Sequence, residues 1–301
     1  MADNLVYHYC SESVFKEIIQ KKTLRFSDIT RSNDSAELRW ITKHIEPAFT
    51  EELNKAKENA LFKEVYQTID LTKLFKEMNN AFFHEAIYGK DNFFWYFVSC
   101  LSLEGDMLSQ WRGYADDGKG FSIGFNREIF EKYYTSGFNY LSIHSGKVEY
   151  DEQKHIVIVK DCMRKLFAGL LSAAEKSSIC DDVICHAFFD CFQALIVKSA
   201  FIKNPFFHEE KEWRMGVGTF RKSCNSKYIY LVRNNVREKY RLNYRNKNGV
   251  NILYFDLKFT PDTIERIILG PKNKMDLSEL DILLKDNGIK CKIDKSEGTY
   301  I

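Results

Sequence analysis

The chain has 301 residues, 45% of them apolar and 15% aromatic, which excludes a disordered protein and leaves ample length for a core. Lys and Arg total 44 against 42 Asp and Glu, a net charge of +2, so no global charge points to a nucleic-acid binder. A local basic patch stands out at Arg233, Arg237, Lys239, Arg241, Arg245 and Lys247.

In chain order, LVYHYC reads as a strand. Its alternation sends His8 to the face opposite Tyr7 and Tyr9. The N-terminus has neither a basic nor an apolar leader region, so no signal peptide is expected. Ser11 or Ser13 can cap the next helix, with Val14, Phe15, Ile18 and Ile19 as its apolar face. TLRFSDI reads as a second strand. In the loop that follows, Asn33 and Asp34 suit tight turns and Ser35 suits a helix cap; the loop also suits closure over a ligand. Residues 37–90 read as a charged helical insertion.

FWYFVSCLSL is dense enough to be a strand buried on both faces. It delivers Ser99 and Ser102, and a short helix then delivers Trp111, Arg112 and Tyr114. This places an aromatic platform, a cation and hydroxyls just past a strand end, although Trp111 also suits a core position. Gly118 and Gly120 read as turn glycines, because neither phosphate-loop pattern is present. FSIGFN and GKVEYD read as strands. Residues 153–202 read as a central helix pair, with Cys180, Cys185 and Cys191 as buried thiols. EWRMGVGTF, KYIYLVRN, NILYFDLKF and IERIILGP read as strands. DLSELDILLKDNG reads as a helix and IKCKID as the last strand.

The stretch FFHEEKEWRM poses the sharpest question. If it is extended, Glu210 and Glu212 share one face. Burying both would raise the pKa of at least one. If it is a helix end, the glutamates are simply solvated; the other plain reading is a structural ion-pair segment, with Glu212 holding Arg214 or a distant Arg. No paired-cysteine zinc spacing, HExxH or GxSxG motif occurs, and no metal site is expected. No apolar run reaches the roughly 18 residues that span a membrane, so no membrane contact and a reduced cytoplasmic setting are expected. With four prolines and no flexible linker, the pattern predicts a single α+β domain over 1–301. Its sheet is expected to be mostly antiparallel, curved or split, with helices 37–88 and 153–202 covering its faces.

YHYCS, RSNDSAE, FVSCLSLEGDMLSQWRGYADDGKGFSIGF, NPFFHEEKEWRM and IERIILGP, in this order, resemble a bacterial family, domain of unknown function 2971. Members are sometimes associated with phage defence. The opening strand, the helix with IIQKK and the strand beginning LRFS also resemble the first unit of ADP-ribosyltransferase-like domains. That second resemblance implies NAD as the substrate and an unidentified protein or nucleic-acid acceptor. It implies a ribose contact for His8 and a nicotinamide-side role for Trp111 or Tyr114 with Ser102. Glu212 would act at the ribose, and Glu210 would serve the acceptor. Tyr9 belongs to the same expected NAD-binding set, and Arg25 or Arg112 could hold the pyrophosphate. The alternative is a non-catalytic nucleotide-sensing or protein-interaction module. A metal-dependent nuclease is a weaker alternative, since no suitable acidic spacing stands out.

Overall fold

The structure is a computed structural model; it describes residues 4–32, 38–63, 69–85, 94–134, 143–176, 180–220, 227–233, 236–247 and 249–300. The expected turn residues Asn33, Asp34 and Ser35 lie outside these.

Strand β1 is Leu5–Cys10, helix α1 is Glu12–Lys21 and strand β2 is Thr23–Asp28. Ser11 caps α1 by accepting from the Val14 amide, as its sequence position suggests. Phe15, Ile18 and Ile19 are buried, whereas Val14 is exposed, because the buried stripe of this short helix is narrower than the apolar run. Helices α2 (Thr42–Lys57) and α3 (Leu71–Asn80) follow, then strand β3 (Phe94–Ser102), helix α4 (Leu108–Tyr114) and strand β4 (Phe121–Asn126).

Beyond them come helix α5 (Arg127–Tyr134), strand β5 (His144–Lys147), and the long helices α6 (Glu152–Glu175) and α7 (Asp181–Ser199). Strands β6 (Glu212–Phe220), β7 (Tyr228–Arg233), β8 (Val236–Arg241), β9 (Asn243–Lys247), β10 (Val250–Lys258) and β11 (Ile264–Leu269) lead to helix α8 (Leu277–Asp286) and strand β12 (Lys292–Lys295). The expected strand GKVEYD is displaced: β5 starts earlier, and only an isolated bridge from Glu149 to Ile202 continues it. Strands β8 and β9 arise from the charged segment in which the sequence showed only a basic patch.

The large sheet runs β12-β11-β4-β1-β3-β2-β10-β9, with β6 on β3 and β5 on β6. Every described ladder in it is antiparallel except β11 with β12. One face curves around a core in which α1, α8 and the β7–β8 hairpin meet the sheet, with Phe15 stacked on Phe121 at 3.9 Å. Residues of α2, α3, α6 and α7 form a second core with Phe94, Tyr96 and Val98 of β3. The two helical segments therefore pack together on one face of the sheet. Strand β3 is the shared wall, since its alternate side chains enter both cores. Cys191 is buried as expected, but Cys180 and Cys185 are exposed, at the start and on the outer side of α7. No described helix is long and apolar enough to cross a membrane.

Candidate functional site

Strand β3 creates the site by having three neighbours. Along one edge it pairs with β6 over its whole length. Along the other it pairs with β1 only at Ser102, opposite Tyr7, and with β2 only at Val98 and Phe97. Residues 99–101 lie between those two ladders, where β1 and β2 part. The sheet is split there, and Cys100 is the exposed residue of an otherwise covered strand. A cavity of about 360 Å³ opens at the split. That size falls within the range of small-molecule pockets, roughly 300–1,000 Å³.

His8, Tyr9, Arg25 and Ser102 line this cavity, and so do Tyr114, Glu210 and Glu212. The ladder registers put Tyr7, Tyr9, Ser102 and Glu212 on one face of the sheet and His8 on the other. The split lets His8 reach the same cleft from behind. Burial pushes the His8 imidazole down to about 4, and a hydrogen bond to the Cys100 backbone only partly offsets this, so the ring is neutral at pH 7.

Two expected residues lie elsewhere. Trp111 is buried behind Tyr9, edge-on at 4.8 Å, and donates its indole N–H to Asp106 at 2.6 Å. It is a core aromatic that supports the wall without forming it. Arg112 sits on the outer side of α4, its guanidinium 5.8 Å from the Tyr300 ring. Tyr9 and Ser102 reach the cleft, but their hydroxyls are engaged in holding loops. Tyr9 donates to the Glu104 carbonyl at 2.8 Å and accepts from the Met107 amide at 3.0 Å. Ser102 donates to the Glu210 carbonyl at 3.1 Å and accepts from the Glu104 amide at 3.2 Å.

The glutamate stretch is neither a plain strand nor a solvated helix end. Asn204 caps a 3-10 turn over Pro205–Glu210, and Lys211 then takes a left-handed conformation, φ 45°. This residue turns the chain, so Glu212 alone opens β6 and Glu210 approaches from the turn. Both carboxylates meet on Lys203, whose Nζ lies 2.6 Å from Glu210 and 3.3 Å from Glu212. Glu210 is 22% exposed and lies 3.4 Å from the Tyr114 hydroxyl.

Glu212 is buried and gripped at both oxygens by Arg214, at 2.7 and 2.9 Å. Arg214 is itself 1% exposed and also donates to the Ala200 carbonyl at 2.6 Å. Burial works to raise the Glu212 pKa, but Arg214 and Lys203 outweigh it and hold the carboxyl at about 2. The expected upward shift from a repelling pair is thus reversed for Glu212, because two buried cations sit between and behind the carboxylates. Lys203 is the residue that sequence reasoning missed, and its local sequence carried no signal. Arg214, two residues from Glu212 on one strand face, is the ion-pair partner that the plainer reading of the stretch expected. Among the described residues, no group of three or more His, Cys, Asp or Glu is arranged to hold a metal ion.

Residues 110–215, which run from α4 through the Glu210–Arg214 stretch, match the family described as protein of unknown function (DUF2971). The motif resemblance to that family is borne out over this part of the chain. No curated protein and no solved structure matches the chain.

Proposed function

We propose that the split-sheet cleft binds NAD and cleaves its nicotinamide–ribose bond, passing ADP-ribose to water or to a protein or nucleic-acid acceptor. The observation that carries this reading is the meeting of His8, Tyr114 and the Glu210–Lys203–Glu212 group in one cavity, from distant parts of the chain. The likeness of the first strand–helix–strand unit to ADP-ribosyltransferase-like domains supports it.

The chemistry asks little of the protein beyond placement and charge. As the C1′–N1 bond breaks, its electron pair leaves with nicotinamide, which departs neutral, and positive charge moves to the ribose ring. A carboxylate held beside that ring lowers the barrier. Glu210 is suited to this task, because it is partly open to the cleft and steadied by Tyr114. Glu212 is suited to positioning, because Arg214 occupies both of its oxygens and Lys203 links it to Glu210. This exchanges the roles that an extended Glu210–Glu212 pair implies. A water or acceptor oxygen then bonds to C1′ and releases its proton. The neutral His8 ring can hydrogen-bond a ribose hydroxyl. A cytoplasmic effector in phage defence is the setting that the family association suggests.

A second reading, nucleotide sensing without turnover, draws on the charge balance of the group. Glu210 and Glu212 are offset by Lys203 and Arg214, so no surplus negative charge faces the ligand. The test is release of free nicotinamide from NAD by the purified chain. Turnover is expected, with Glu210→Gln slower by about 10²-fold and the variant still folded, because Glu212 keeps Lys203 paired. Saturable NAD binding without nicotinamide release would leave the sensing reading in place of the enzyme.

A further inference from the structure

The cleft has a second end with different chemistry. There β2, β10 and β9 lie side by side and present one face. Arg25 stands on β2, opposite Asp256 of β10, and Arg245 stands on β9, opposite Ile252. The Arg25 guanidinium lies 4.0 Å over the Tyr254 ring and bonds Asp256 at 2.8 and 3.3 Å. Arg245 reaches across to the Ser27 hydroxyl at 3.4 Å. Both arginines line the cavity, as do Arg31 and Lys247.

Charge at this end is not balanced locally. Asp256 is engaged by Arg25, and Glu17 is engaged by Lys21 at 2.5 Å. Asp28 caps the turn after β2 by accepting from the Thr30 amide and hydroxyl. Among the described residues Arg245 meets no carboxylate within ion-pair distance. Burial and the neighbouring Arg25 charge both act against its cation. Two guanidiniums converging on one cavity wall repel each other, and an anion bridging them relieves that repulsion. A bare edge strand carries charges to prevent pairing with other chains, but those charges need only point to solvent. Here they point into the cleft.

We infer that Arg245, with Arg25 and Lys247, forms an anion site for the diphosphate of a nucleoside-diphosphate ligand. The cleft is then uneven in charge: the balanced Glu210–Lys203–Glu212–Arg214 group and neutral His8 at the split, unbalanced guanidiniums at the β9 end. This orients a ligand with its diphosphate at the β9 end and its other end at the split. The inference rests on the reading of the cleft as a nucleotide site, yet it does not require turnover.

The experiment is calorimetric titration of the full chain with inorganic pyrophosphate and with ADP-ribose, at two salt concentrations. Both should bind, more weakly at high salt. Arg245→Gln should weaken both by about 10-fold or more, the scale of a lost charge-assisted hydrogen bond. Lys239→Gln, on the Tyr228 ring and outside the cleft, should bind like the parent. Pyrophosphate and ADP-ribose binding lost with Arg245 but without any nicotinamide release from NAD would uphold this site and remove the enzymatic reading. Failure of the parent to bind either probe would overturn the inference. So would an Arg245→Gln variant that binds as the parent does, or tighter binding of a single-stranded oligonucleotide than of ADP-ribose.

Discussion

Replacing Glu212 by Gln keeps the shape of the side chain and removes a charge from the most buried ion pair in the cleft. Arg214 is 1% exposed, and its Nε and Nη2 both donate to that carboxylate. With Gln present, one acceptor oxygen remains and the guanidinium stays buried without its counter-charge. Two independent scales agree on the cost. Breaking a buried pair from one side costs about 3–5 kcal/mol. A carboxyl held at about 2, where 4.5 is usual, gains about 3 kcal/mol in its ionised form from this environment. The thermal midpoint should fall by roughly 6–20 °C, taking about 2–4 °C per kcal/mol for large domains. Urea unfolding of parent and variant measures the same quantity directly. The double variant Glu212→Leu with Arg214→Met should recover part of the loss, because neither charge is left alone. A Glu212→Gln protein within about 0.5 kcal/mol of the parent would refute the reasoning. The pair would then be hydrated in solution and the carboxylate free for other work.

The remaining predictions concern His8 in the cleft and the Asp106 network that holds Trp111 behind Tyr9. His8 has its pKa lowered from 6.5 to about 4, so the unfolded chain binds the extra proton between those values. Its contribution is complete above pH 6.5 and is lost as the pH falls to 4, at up to about 1.4 kcal/mol per pH unit. His8→Asn should flatten the stability–pH curve in that window, and an unchanged slope would count against a buried neutral ring. Asp106 collects the Trp111 indole N–H at 2.6 Å, the Ser296 hydroxyl at 2.6 Å and the Glu297 amide at 2.8 Å. Asp106→Ala should cost about 1–3 kcal/mol for the orphaned indole and speed proteolysis of residues 296–300. Parent-like protease resistance would show that the tail is held by other contacts.

Much of the fold was legible, because burial writes itself into alternation. Strand β3 reads as FWYFVSCLS, and each apolar position enters one of two cores. Ser11 announced its helix, and a mostly antiparallel sheet followed from strand–helix alternation without regular βαβ spacing. The split itself was expected only as one option, since nothing local shows where β1 and β2 diverge along β3. The glutamate stretch was misread because its geometry depends on Lys211 at positive φ, which an L-residue with no glycine or asparagine signal does not advertise. Lys203 precedes that turn, and only the bridge of Ile202 to Glu149 brings it under both carboxylates. Arg245 and Lys247 were visible as a basic cluster. Their place at the cleft required strands β8 and β9, which so charged a segment disguises.

Cys100 offers the most direct measurement of whether NAD enters the split. It is exposed between the two ladders of β3, whereas Cys180 and Cys185 are exposed on the helical side. Alkylation followed residue by residue with mass spectrometry, with and without saturating NAD, separates them. NAD should slow labelling of Cys100 by about 10-fold or more at roughly ten times its Kd, while Cys180 and Cys185 label at unchanged rates. Equal labelling of Cys100 with NAD bound would contradict the account, because the dinucleotide would then sit somewhere other than the gap in the sheet.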